Sequence, residues 1–145
     1  MAHEKRTLWI ARGLVGVVTF LNLQAAFLFI LRPQDFYGGF ELSGEQGMAM
    51  IRGMGLLFLM WNIPYLVALI HPVRHYVSLM EAVIMQSIGV AGESLLLAAL
   101  PGQHPQLQAS VMRFIYFDGG GLILLLAAFI LVRRLRNRPG NSTAQ

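Results

Sequence analysis

Four long apolar stretches alternate with short polar segments along this chain. They run over about residues 8–31, 48–70, 76–100 and 109–132. Each reaches the ~20 mostly apolar residues that a helix needs to cross a bilayer. Helix breakers fall between them: Pro33, Gly38 and Gly39 in "RPQDFYGG", Pro72 in "HPVRH", and Pro101, Gly102 and Pro105 in "PGQHPQ". Ser43 followed by Gln46 predicts a capping box at the start of the second helix. The first stretch is longer than the apolar core of a signal peptide and lacks a small-x-small cleavage site, so it is read as a retained helix. The pattern predicts an all-α membrane protein: an up-down bundle over residues 8–132, with a short N-terminal segment (1–7) and a basic tail (133–145).

Polar residues interrupt these stretches at helical spacing. On the first, Arg12, Gly16, Thr19 and Ala26 share a face; on the second, Arg52, Gly55, Leu59 and Asn62. Gln86, Gly89 and Glu93 form a third stripe, and Asp118, Gly121, Leu125 and Ala128 a fourth. Small residues allow close helix approach and polar ones bond across it, so the four stripes are expected to face one axis. Gly119, Gly120 and Gly121 are expected to let a neighbouring backbone approach beside Asp118.

Six ionisable residues lie within the predicted spans: Arg12, Arg52, Glu81, Glu93, Arg113 and Asp118. A lone charge at the bilayer centre costs at least ~2.5–3.5 kcal/mol, so such residues are expected to face inward and pair. Counting from the helix ends puts Arg12 and Glu81 in one third of the bilayer, as a structural ion pair. Arg52, Glu93, Arg113 and Asp118 fall in the other half. Arg113 and Asp118 stand about 140° apart around their helix, so each is expected to reach another helix, Arg113 toward Glu93 and Asp118 toward Arg52. Two roles fit the outer four: helix–helix glue, or the lining of a polar ligand site. A third possibility is a shifted span boundary that leaves some of them among headgroups.

Charge outside the spans sets the orientation. Lys5, Arg6, Arg74, Arg133, Arg134, Arg136 and Arg138 all lie on one side; Asp35, Glu41 and Glu45, with Arg32, lie on the other. The positive-inside bias then places both termini and the second loop in the cytoplasm. Aromatic residues agree, with Trp9, Trp61, Tyr65 and Tyr76 expected near the inner interface and Phe36, Tyr37 and Phe40 near the outer. Only 12% of the 145 residues are charged while 56% are hydrophobic, too few polar side chains to coat a soluble globule. The net charge of +4 sits on the flanks of apolar runs, which points to anionic lipid rather than nucleic acid.

Little catalytic chemistry is legible. The chain has no cysteine, which excludes thiolate metal sites, disulfides and thiol catalysis. His71 and His75 have i,i+4 spacing, but Pro72 between them ends the helix, so no metal site is read there. No histidine lies within a span to hold a haem, and no phosphate-binding loop or nucleophile–base set is present. The eight methionines read as adaptable core filler.

The segments "MAMIRGMG", "ALIHPVRHY" and "LMEAVIMQSIGVAGE" resemble the small four-helix bacterial membrane proteins of the DoxX-like and BphX-like groups. The resemblance, over roughly residues 8–133, is one of pattern and length. It implies a four-helix bundle in a bacterial cytoplasmic membrane with an arginine early in the second helix, here Arg52. Some DoxX-like proteins are small subunits associated with quinone-linked sulfur oxidation; no catalytic residue carries over. The expected role is a non-enzymatic accessory or interaction subunit with an intramembrane charge network, in a homo-oligomer or with a membrane-protein partner. The alternatives are a quinone- or lipid-binding subunit of a redox enzyme, using Arg52, Glu93, Arg113 and Asp118, and a small proton-coupled transporter.

Overall fold

The structure, a computed structural model, describes residues 2–137. Residues 138–145 of the tail, Arg138 and Ser142 among them, lie outside the described residues. Five helices form: α1 (Ala2–Leu31), α2 (Gly44–Trp61), α3 (Ile63–Ile70), α4 (Tyr76–Ala99) and α5 (Pro105–Arg136). With α2 and α3 counted as one span, four helical segments are long and apolar enough to cross a membrane. Among the described residues there is no strand. The outside of the bundle is apolar, with Leu95 72% and Ile123 68% exposed. An all-round apolar surface of this kind is stable against lipid and not against water.

Helices that follow one another pack together, and the ring closes through α5 on α1. Thus α1 contacts α2, α3 and α5, while α4 contacts α3 and α5. Consequently α1 and α4 face each other only across the bundle, and so do α2 and α5. The end of the bundle that holds both chain ends is tightly packed. There Ala11 and Val15 of α1, Tyr65 and Ala68 of α3, Leu79 and Ala82 of α4, and Leu125, Ala128 and Val132 of α5 form one buried cluster. The other end is wider and is filled by rings.

The second span is not one straight helix. Pro64 stands in the first turn of α3 and has no N–H to continue the ladder, so α2 stops at Trp61. Asn62 occupies the break, 1% exposed, and its Nδ2 donates at 2.7 Å to the Phe58 carbonyl, which also accepts the Asn62 backbone N–H at 3.1 Å. Pro64 was visible in the sequence, but the apolar run through it hid the break.

Three further details differ from expectation. Ser43 does cap α2 by position, yet its side chain makes no capping bond. Tyr65 is fully buried in the core rather than placed at an interface. Both α1 and α5 run past the predicted spans into their basic flanks. The α5 extension is held by chemistry suited to a helix C-terminus: arginines complement the dipole, and the Arg136 guanidinium lies 4.1 Å from the Tyr76 ring centroid.

Two short 3₁₀ turns, Pro33–Asp35 and Tyr37–Phe40, fold the first loop back over the open end. Glu41 follows with a left-handed backbone and latches the loop to α5. Its carboxylate meets His104 Nδ1 at 2.6 Å and accepts the Leu107 N–H at 3.3 Å, one of the unpaired donors of the α5 N-terminus. The His104 hydrogen bond, with help from Leu107, holds the Glu41 carboxyl below its ordinary range despite an opposing effect of burial. A depressed carboxylate stabilises the fold above the unfolded-state value, and that contribution is lost as pH falls through the folded-state value. The latch should therefore hold throughout the neutral and mildly acidic range and open only at a pH below the ordinary glutamate value. Carboxyl ¹³C titration of Glu41 checks this: the midpoint should lie below that of an ordinary glutamate and rise in His104→Phe. A midpoint at or above the ordinary value would refute it.

Candidate functional site

A cavity of about 400 Å³ opens in the wide end of the bundle, between the first loop and the break at Asn62. That is within the ~300–1,000 Å³ of small-molecule sites. Its walls are aromatic. Phe29 of α1 is the hub: its ring centroid lies 4.7 Å from Phe36, 5.7 Å from Phe58, 6.1 Å from Phe114 and 6.3 Å from Phe40. Phe36 and Phe40 thus turn inward from the loop as a roof. Gly39 makes this possible, because the Ser110 hydroxyl on α5 donates to its carbonyl at 2.5 Å and a Cβ there would lie 2.9 Å from Ser110 Oγ.

The deep side is polar and joins α3, α4 and α5. The Tyr65 hydroxyl donates to Gln86 Oε1 at 2.5 Å, and Gln86 Nε2 donates to Asp118 Oδ1 at 3.0 Å and to the Asp118 carbonyl at 3.2 Å. Gln86 is 2% exposed, so this chain is sealed in the interior. Asp118 turns its other oxygen onto α4 above Gly89, where a Cβ would lie only 2.8 Å from Oδ2. Glu93, one turn further along α4, brings its carboxyl within hydrogen-bonding reach of Asp118.

Three of the four expected ligand-site residues line this cavity: Glu93, Arg113 and Asp118. They do not pair as the sequence suggested. Arg113 turns away from Glu93, toward the rim, and its Nη2 donates to Ser110 Oγ at 3.0 Å. Arg52 is not in the lining and is exposed on the outside of α2. That outward position, on a helix diagonal to α5, turns it away from Asp118. The same geometry separates Arg12 from Glu81. Glu81 is exposed on α4, while Arg12 Nε donates to the Leu69 carbonyl at 3.1 Å and its guanidinium lies 4.6 Å from the Trp9 ring centroid. Leu69 is in the last turn of α3, where carbonyls lack helical partners and attract cations. Among the described residues, no ion pair joins any of these arginines to Glu81, Glu93 or Asp118.

The triple glycine also works differently from expectation. A Cβ at Gly119 or Gly120 would meet nothing within 4 Å; at Gly121 it would meet Gln86 Nε2 at 2.9 Å and Val18 Cγ1 at 3.4 Å. Gly121 therefore makes room for the Gln86 amide rather than for a backbone. Asn62, Gln86 and Gly89 belonged to the polar stripes, but their connection through Tyr65 was hidden by the assignment of that tyrosine to an interface.

No protein-family model matches this chain, and neither curated proteins nor solved structures gave a match.

Proposed function

We propose that this chain is a non-enzymatic binding subunit of a bacterial cytoplasmic membrane that holds a small apolar molecule with a polar group. The aromatic cavity with a polar floor carries this reading, since helix–helix glue alone requires no open volume. Quinones and lipid fragments, the classes expected from the sequence, both satisfy its size and walls. The likeness to the DoxX-like and BphX-like groups belongs to the same proposal, as does a partner subunit, for which the exposed Arg52 offers a charged contact.

The test is purification in a mild uncharged detergent followed by mass spectrometry of the extract. A small molecule should accompany the native protein and be lost from Ala25→Phe, which fills the cavity from α1. Recovery of a stoichiometric partner chain with no small molecule in either protein would leave an interaction role alone.

Proton-coupled transport is a second reading, favoured by the break at Asn62 beside a carboxyl pair, because interrupted helices often frame transporter sites. Proton flux in liposomes under an imposed gradient would support it, and tight liposomes would exclude it.

The proposed orientation places both termini in the cytoplasm. The chain has no native cysteine, so single cysteines report without background. Those at Ser43 and Gln103 should react with an impermeant maleimide in intact cells, and one at Ser142 only after lysis. Labelling of position 142 in intact cells would reverse the topology.

A further inference from the structure

We infer that the cavity selects an organic cation, a protonated amine on an apolar or aromatic body. The inference rests on the binding reading above and specifies its ligand. It follows from where the hydrogen-bond donors of the floor are spent. Tyr65 donates to Gln86, Gln86 Nε2 to Asp118, and Asn62 Nδ2 to the Phe58 carbonyl. Among the described residues, the buried polar side-chain atoms left without a partner are both oxygens on the cavity lining: Glu93 Oε2 and Asn62 Oδ1, which can only accept. Asn62 is 1% exposed, so no bulk water serves it. A ligand that anchors at this floor must bring donors.

Charge narrows the class further. Glu93 and Asp118 put two carboxyl groups on this floor. The nearest arginine in the lining, Arg113, is committed to Ser110 at the rim and makes no ion pair with either carboxyl. The walls above are the rings of Phe29, Phe58 and Phe114, a residue type whose faces attract cations through their quadrupoles and accept apolar bodies equally well. A quinone presents two carbonyl acceptors and would set them against acceptors at the floor. An ammonium group supplies the donors and the opposite charge together.

Isothermal titration in an uncharged detergent at pH 7 tests this with three probes: 4-phenylbutylamine, its neutral twin 4-phenylbutanol, and menadione. The amine is protonated at this pH, as alkylamines are. It should bind at least about tenfold more tightly than the alcohol, the equivalent of about 1.4 kcal/mol. In Glu93→Gln/Asp118→Asn that preference should fall to nearly nothing while alcohol binding is retained. Asp118→Asn is near-isosteric: its Oδ1 can still accept from Gln86, and its amide can donate to Glu93. Should the double variant fail to fold, the native amine-to-alcohol ratio decides. Alcohol or menadione binding as tightly as the amine would overturn the cation inference and leave the binding reading standing. Binding of none of the three would overturn both.

Discussion

Gln86→Leu is expected to be the most damaging polar substitution in the protein. The glutamine sits between Tyr65 on α3 and Asp118 on α5, bonded to both at 2.5 and 3.0 Å. Leucine has similar volume but leaves one Asp118 carboxyl oxygen buried without this partner, while the tyrosine hydroxyl keeps only the Ala82 carbonyl at 3.2 Å. The hydrogen bonds themselves are not the main term, since interhelical polar contacts in membranes average only ~0.6 kcal/mol. The stranded carboxyl oxygen is: an unsatisfied buried group costs ~1–3 kcal/mol, so a loss of about 1–3 kcal/mol is expected. Tyr65→Phe should cost less, because it strands the neutral Gln86 carbonyl rather than a carboxyl oxygen. Members of one network do not add, so Tyr65→Phe in the Gln86→Leu background should cost less than in the native protein. Unfolding by sodium dodecyl sulfate from mixed micelles, followed by circular dichroism, measures all three. Equal costs in the two backgrounds would show that the tyrosine and the glutamine are not coupled.

The same alanine substitution two residues apart on α2 should change stability in opposite directions. Gly55 is buried where α1 and α2 cross, and a Cβ there would lie 2.8 Å from the Ala26 carbonyl oxygen, 2.8 Å from Ile30 Cγ1 and 3.0 Å from Phe29 Cβ. The first of these is backbone and cannot swing aside. Separating the helices costs ~1–3 kcal/mol as overpacking, which outweighs the up to ~1 kcal/mol that alanine gains over glycine within a helix. Because Phe29 is the hub of the aromatic wall, Gly55→Ala should also weaken ligand retention. At Gly53 a Cβ would meet nothing within 4 Å, so Gly53→Ala should gain a few tenths to about 1 kcal/mol. The same unfolding titration reads both. A neutral Gly55→Ala would mean that α1 and α2 do not approach as closely as this.

Much of the architecture was legible without coordinates, and the reason is the solvent. A bilayer requires each spanning segment to satisfy its own backbone, so about 20 apolar residues between breakers already specify a helix. Adjacent short connections then force neighbours to pack, and the helical spacing of Gln86, Gly89 and Glu93 was sufficient to show one inward face of α4. Glu93, Arg113 and Asp118, which line the cavity, stood out as candidates because charge is expensive in lipid wherever it is placed.

Partnership was a different matter. Counting residues gives depth along a helix but not which helices are neighbours, and charge balance alone cannot distinguish adjacent from diagonal positions. Arg12 and Glu81 have matching depths and opposite signs, yet they stand on helices across the bundle. Arg12 instead meets a carbonyl at the end of α3, an acceptor that exists only because the chain stops its helix before Pro72. Arg52 shares a depth with Asp118 and is likewise on a diagonal helix. The cavity was invisible for a related reason. It depends on the break at Asn62, on a loop whose phenylalanines fold inward, and on Gly89 and Gly121 admitting the Asp118 and Gln86 side chains. Each is an effect of helices in contact. Helix existence is a local property that the residues specify by themselves, whereas pairing and empty space arise only when helix faces meet.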